Sequence, residues 1–162
     1  MTTSFHKLPF QERYAILGDP AEKVFEAVSP LGTFDRFGWH RPRSSMSKMA
    51  PMLRNLPDYY AQSGHLVEVI GCGRDGLLKL KSHKLATLKA WDELQPVMMF
   101  FWNSHKGQWT LVELEEVERL YHQVKDTDGL KQFHDGPTYA AIPWDSVVEV
   151  AIKTGSYDPA QN

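Results

Sequence analysis

An α/β fold is predicted for this 162-residue chain from three observations. Two short apolar runs, Val67-Glu68-Val69-Ile70 and Val97-Met98-Met99-Phe100-Phe101-Trp102, have the length and the β-branched or aromatic content of buried strands. Two longer segments, Ala21 to Val28 and Ser82 to Leu94, repeat their apolar residues at helical spacing. The elements follow one another as helix, strands, helix, strands and helix. The length argues for one domain with a sizeable core, set at residues 1–155, followed by a frayed tail at 156–162. With 42% hydrophobic and 23% charged residues the composition is that of a soluble globular protein. No segment reaches the length of a membrane span, the N-terminus lacks the apolar run of a signal peptide, and the expected compartment is the cytoplasm. The single cysteine, Cys72, excludes an internal disulfide and a zinc site built on cysteines.

In order along the chain, Phe5, Leu8, Phe10, Tyr14, Ile16 and Leu17 read as a partly helical apron on the core. Gly18-Asp19-Pro20 then supplies a helix start, with Asp19 as N-cap, Pro20 at the first helical position and Glu22 in the first turn. Val24, Phe25 and Val28 form its buried face, and Ser29-Pro30-Leu31-Gly32 ends it. Glu22 and Glu26, four apart, share another face, from which only one is expected to reach a site. Thr33 to Gly38 reads as a short strand. From Trp39 the pattern dissolves into an Arg-rich polar loop, until Met46, Met49, Met52 and Leu53 restore helical spacing. Trp39 and His40 have the chemistry to stack on a base, but the commoner fate of such a tryptophan is the core.

Pro57-Asp58-Tyr59-Tyr60 is extended and turns at Ser63-Gly64 into the Val67–Ile70 strand. Gly71-Cys72-Gly73-Arg74-Asp75-Gly76 matches a GxGxxG pattern, but Leu77 to Lys81 alternates as a strand does. A dinucleotide fingerprint needs a helix there, so that reading is set aside in favour of a hairpin or bulged turn. Ser82 is the expected cap of the following helix, buried through Leu85, Leu88 and Trp91. Val97–Trp102 is continuous enough for burial on both faces, and Gln108 to Leu114 pairs back on it. An acidic helix over Glu115–Val124 carries its carboxylates on several sides, as a solvated helix does. A strand at Tyr139–Ile142 and a short helix at Pro143–Val150 complete the expected elements.

Function turns on Asp58 and Glu68. An ionised carboxylate in an apolar strand is costly unless a partner neutralises it. With a period of two, Glu68 and Ile70 share one face, with Val67 and Val69 on the other. The short turn lets the Asp58 segment pair antiparallel, which brings two hard oxygen donors to one sheet edge. Such donors suit Mg²⁺ or Mn²⁺, with positions left for water and phosphate.

The net charge of −2 is unevenly spread. Residues 35–89 hold ten Lys and Arg against four acids, two of which are Asp58 and Glu68, whereas residues 90–162 net −7. That is the footprint of a phosphate-binding face, the plain alternative being a solvated loop surface. Arg36, Arg41, Arg43 and Arg74, with Lys84, are candidates to grip a nucleic-acid backbone without reading its sequence. Lys79 and Lys81 alternate with Leu78 and Leu80, so both ammonium groups lie on one face of their strand.

Asp58 followed by Glu68-Val69-Ile70 on the next strand resembles the metal site of the PD-(D/E)XK nuclease superfamily, which includes archaeal-type Holliday-junction resolvases and small phage-encoded members. The matching order of elements runs from about Gly18 to Glu116. The resemblance implies a restriction-endonuclease-like core, a mixed central sheet of about four to five strands flanked by helices. It also implies Mg²⁺- or Mn²⁺-dependent hydrolysis of phosphodiester bonds in DNA, with branched or recombination intermediates as candidate substrates. Asp58, Glu68 and the backbone carbonyl of Val69 would hold one or two metal ions, with Glu22 an outer ligand through water. The family's Glu-x-Lys lysine is Ile70 here. Its tasks, steadying the phosphate and lowering the pKa of the attacking water, would pass to Lys79 or Lys81, or to Lys84 one helical turn further on. DNA is the implied partner, with no membrane; a homodimer is left open, and the cytoplasm is the host's if the protein is phage-encoded. The alternative is a catalytically reduced nucleic-acid-binding or assembly protein on the same fold.

Overall fold

A computed structural model describes residues 10–39 and 48–161, and all that follows concerns these residues. The elements are α1 (Phe10–Val28), β1 (Phe34–Arg36), α2 (Pro51–Arg54), β2 (Tyr59–Ala61), β3 (Leu66–Gly71), β4 (Leu77–Lys81), α3 (Ser82–Asp92), β5 (Val97–Asn103), β6 (Gln108–Glu113), α4 (Leu114–Thr127), β7 (Lys131–Gln132), β8 (Thr138–Pro143), α5 (Trp144–Glu149) and β9 (Lys153–Ser156). Six strands form a mixed sheet in the order β1-β2-β3-β5-β6-β9, in which only β3 and β5 run parallel. A second, antiparallel sheet has the order β4-β8-β7. The fold is therefore α/β, with more strands than the four to five expected.

β5 organises the layers. Every one of its residues is buried, as its unbroken apolar run predicts, and alternation sends Met98, Phe100 and Trp102 to one face and Val97, Met99 and Phe101 to the other. On the first face α1 packs through Ala21, Val24 and Phe25. On the second, Leu78 and Leu80 of β4, Leu85 and Leu88 of α3, and Val117 and Leu120 of α4 close the larger core. Among the described residues no helix is long and apolar enough to cross a membrane.

Three local readings are corrected. The helix expected to start at Pro20 begins at Phe10 and carries Pro20 inside it, so Asp19 is not its N-cap. A proline removes one N–H donor, and the tertiary packing of Ala21, Val24 and Phe25 holds the helix across that gap. Ser82 is the first residue of α3 and not its cap; its hydroxyl bonds the Tyr121 hydroxyl at 2.6 Å and the Thr138 hydroxyl at 2.8 Å, tying α3 to α4 and β8. Leu77–Lys81 does not return as a hairpin on β3 but crosses to the second sheet and pairs with β8. At the C-terminal end the sheet extends past the expected boundary at residue 156: Ser156 pairs with Gln108, and the Tyr157 N–H donates to the Gly107 carbonyl at 3.0 Å. The segment containing Arg41 and Arg43, and residues Met1 to Pro9, lie outside the described residues.

Gly71 at the end of β3 permits the close approach of α1. A Cβ there would stand 2.5 Å from the Leu17 carbonyl oxygen, a backbone atom that cannot rotate away. Gly71→Ala is expected to cost about 1–3 kcal/mol of stability, measured by urea unfolding, because it must push α1 off the sheet. α1 also carries Glu22, so the same substitution reaches the site.

Candidate active site

The site is built where β2 meets β3. The Asp58 N–H donates to the Val67 carbonyl at 2.8 Å, while its own carbonyl accepts from the N–H groups of Phe37 and Gly38 at 2.9 and 3.0 Å. Its carboxylate oxygen Oδ2 accepts from the Val69 N–H at 2.7 Å. Backbone and side chain together thus fix Asp58 against the strand that carries Glu68. Period-two alternation holds as expected: Val67 and Val69 join the core under α1, whereas Leu66 and Ile70 face the opposite core together with Glu68.

Glu68 is 5% exposed, and its Oε2 lies 2.9 Å from the Lys84 ammonium. Lys84 comes from the first turn of α3, one layer above Ile70. Both partners line a cleft of about 310 Å³ that also takes in Asp58 and Glu22. Glu22 is 4% exposed and is held by Arg36 Nη2 at 2.6 Å. The same guanidinium donates to the Tyr59 hydroxyl at 2.6 Å and lies over the Tyr59 ring at 4.3 Å, and the Tyr59 hydroxyl donates to Glu26 at 2.6 Å. Only Glu22 of the pair lines the cleft, as the shared face allowed, and Glu26 stays exposed.

The electrostatics follow from crowding. Burial first, then the neighbouring Asp58, push the Glu68 carboxyl up to about 8, with Lys84 opposing. Burial likewise raises Asp58, to about 6, against the pull of Lys84 and the Val69 N–H. Lys84 itself moves upward, because the attraction of Glu68 and Asp58 exceeds the desolvation that would lower it. One ammonium therefore faces more negative charge than it can neutralise.

A carboxyl whose pKa is raised in the fold stabilises it below the ordinary carboxylate range and loses that contribution as pH rises through the folded value. In EDTA the protein is accordingly expected to melt lower at about pH 8 than at about pH 5. His83 has the opposite sign below about 6.5, since burial and then Lys81, Arg54 and Lys84 disfavour its charging. Glu68→Gln separates the contributions: its melting temperature should keep the fall that Asp58 contributes up to about pH 6 and lack the further fall toward pH 8. Mg²⁺ should raise the wild-type value more at about pH 8, where Asp58 is ionised and Glu68 gives up its proton far more readily than at about pH 5. A wild-type profile parallel to that of Glu68→Gln would contradict the crowding.

The remaining expected site residues distribute differently. Lys84, placed by sequence both among the backbone-gripping residues and among the stand-ins for the missing lysine, is engaged inside the cleft with Glu68. Arg36 is likewise engaged, by Glu22, Glu26 and Tyr59. Lys79, one candidate to replace the missing lysine, lines the cleft but pairs with Asp75 at 2.9 Å. Lys81 lines the cleft as well, its ammonium 5.8 Å from the Phe133 ring centroid. Arg74 is exposed on the β3–β4 turn and does not line the cleft. Ile70 packs on the core beneath. Cys72 is 2% exposed, and burial pushes its thiol up to about 11, as for an unreactive buried thiol. The α4 acids pair with surface cations, Glu116 with Arg119 at 2.8 Å and Glu118 with Lys89.

Trp39, for which stacking was weighed and the core favoured, lines the cleft 37% exposed, and Arg54 and His83 line it without having been singled out from the sequence. Arg54 closes the methionine-rich segment and His83 precedes Lys84, which are the only signals either gives.

Among the described residues no set of three or more His, Cys, Asp or Glu converges as metal ligands. The donor set that exists is two carboxylates with backbone and water positions. That suits Mg²⁺, which keeps most of its waters and commonly binds through one or two carboxylates plus substrate phosphate. The mutual repulsion of Asp58 and Glu68 gives a divalent cation something to neutralise, so the residues fit the ion. In comparisons with known proteins, no family model, no curated protein and no solved structure matches this chain.

Proposed function

We propose that the protein is a divalent-metal-dependent nuclease that hydrolyses phosphodiester bonds in DNA, on a restriction-endonuclease-like core of the PD-(D/E)XK type. The observation that carries the reading is the Lys84 ammonium 2.9 Å from Glu68, in the same cleft as Asp58 and above the aliphatic Ile70. It supports Lys84 as the lysine that the Glu-x-Lys position lacks, delivered from α3 instead of from β3. The order β1-β2-β3-β5, with β3 and β5 parallel and α3 between them in the chain, supports the core assignment.

Asp58, Glu68 and the Val69 carbonyl would hold Mg²⁺ or Mn²⁺. The ion, when bound, supplies Lewis-acid stabilisation of phosphoryl charge and a more acidic water. The chain's own residues do the rest. Lys84 is positioned to share the negative charge that develops on the phosphate, and its two carboxylate neighbours keep it protonated at neutral pH. Asp58 is held rigid by its backbone and carboxylate hydrogen bonds, so the ligands need little reorganisation. Arg36 holds Glu22 at the cleft wall through their 2.6 Å ion pair.

The test is incubation of purified protein with plasmid, single-stranded and branched DNA in Mg²⁺ or Mn²⁺. Metal-dependent nicking that EDTA abolishes is expected. Binding without cutting under every metal would favour the catalytically reduced reading, and neither binding nor cutting would overturn both.

A further inference from the structure

We infer that the cleft takes an unpaired nucleotide, its base against Trp39 and its phosphate on Arg54, Lys81 and His83, so that the substrate is a single strand or the unpaired arm of a branch. This deepens the nuclease reading and rests on it.

Trp39 stands on the cleft wall with its indole N–H donated to the Leu53 carbonyl at 3.0 Å, which pins the ring while leaving 37% of the residue exposed. Trp102 and Trp144, by contrast, are buried at 3% and 2%. A pinned, accessible aromatic ring in a polar cleft is a stacking platform, and stacking is tolerant of base identity because every base has a π-face. In a continuous duplex both faces of a base are covered by its neighbours, so only an unpaired base can use it.

Not every basic residue that lines the cleft is spent on a carboxylate. Lys84 serves Glu68 and Lys79 serves Asp75, whereas Arg54 makes no ion pair among the described residues. Arg54, Lys81 and His83 come from α2, the end of β4 and the start of α3, and all three line the same cavity. Burial first, and then the charges of Lys81, Arg54 and Lys84, disfavour protonation of His83, so near neutral pH it offers a ring N–H donor beside Arg54 and Lys81 and not a third cation. A phosphate oxygen placed there would meet the Arg54 guanidinium, the Lys81 ammonium and that donor. At about 310 Å³ the cavity is at the lower end of small-molecule pockets, roughly 300–1,000 Å³.

Binding in EDTA, where nothing is cut, tests this with labelled oligo(dT) and the same strand annealed to oligo(dA). The single strand should bind more tightly and quench tryptophan fluorescence, a quench absent in Trp39→Phe. Trp39→Ala should weaken single-strand binding roughly tenfold, and Trp39→Phe, which keeps a ring, should restore most of it. Arg54→Ala should weaken it as well. If Trp39→Ala does not fold, the fluorescence of Trp39→Phe and the affinity of Arg54→Ala carry the decision. A preference for the duplex, or unchanged quench and affinity in these variants, overturns the inference; if metal-dependent cutting of duplex persists, the nuclease reading survives. Absence of binding to either probe overturns the inference and counts against the nuclease reading too.

Discussion

Glu68→Gln is expected to lower Mg²⁺-dependent DNA cleavage by on the order of 10³-fold or more while leaving DNA binding in EDTA nearly intact. The size follows from losing several kcal/mol of metal-borne charge stabilisation, at about 1.4 kcal/mol for each factor of ten. The substitution keeps the volume of the side chain and removes only its charge. Because the ionised form of Glu68 is disfavoured in the fold, the neutral amide should not lower the metal-free melting temperature at about pH 8. Activity and stability are thereby uncoupled, and Asp58→Asn should behave alike in cleavage. If binding in EDTA fell together with cleavage, the two carboxylates would hold the fold and not a cation.

Lys84→Met should have the opposite signature, a loss of both cleavage and metal-free stability. Methionine replaces the aliphatic stem but leaves Asp58, Glu68 and Glu22 in one cleft without their ammonium. Breaking a fully buried ion pair costs roughly 3–5 kcal/mol; with the Lys84 side chain 20% exposed, about 2–3 kcal/mol is expected. The cost should shrink at about pH 5, where Glu68 can take up a proton, and in Mg²⁺, which supplies the missing positive charge. Thermal melts of wild type and variant across these four conditions measure it. A loss independent of both pH and Mg²⁺ would assign Lys84 a packing role alone.

The contrast between these two residues shows what the sequence could disclose. Asp58 and Glu68 were legible because strand alternation and a short turn are local rules, and a carboxylate inside Val-Glu-Val-Ile violates the pattern around it. Lys84 was named as one of three lysines that could stand in for the missing one, but nothing local singled it out as the partner of Glu68. Whether a first-turn lysine points to solvent or across the sheet depends on where α3 lies over β3, which is set by the crossover to β5. The partners of Arg36 were hidden for the same reason, Glu22, Glu26 and Tyr59 coming from two other elements. The β4–β8 pairing joins segments far apart in the chain, so Lys79 and Lys81 were known to share a face before it was known which sheet they belong to. β9 was missed outright: Lys153-Thr154-Gly155-Ser156 is an exposed, polar edge strand without the apolar alternation that marks a strand. Gly155 is needed there because a Cβ would stand 2.6 Å from the Trp109 ring.

Diffraction from crystals soaked in Mn²⁺, recorded for anomalous scattering, tests the cation directly. A single strong peak within about 2.2 Å of oxygens from both Asp58 and Glu68, absent from Glu68→Gln crystals, is the predicted result. Crystals saturated with Mn²⁺ that show no peak there, with the Lys84 ammonium still the sole neighbour of the Glu68 carboxylate, would contradict it.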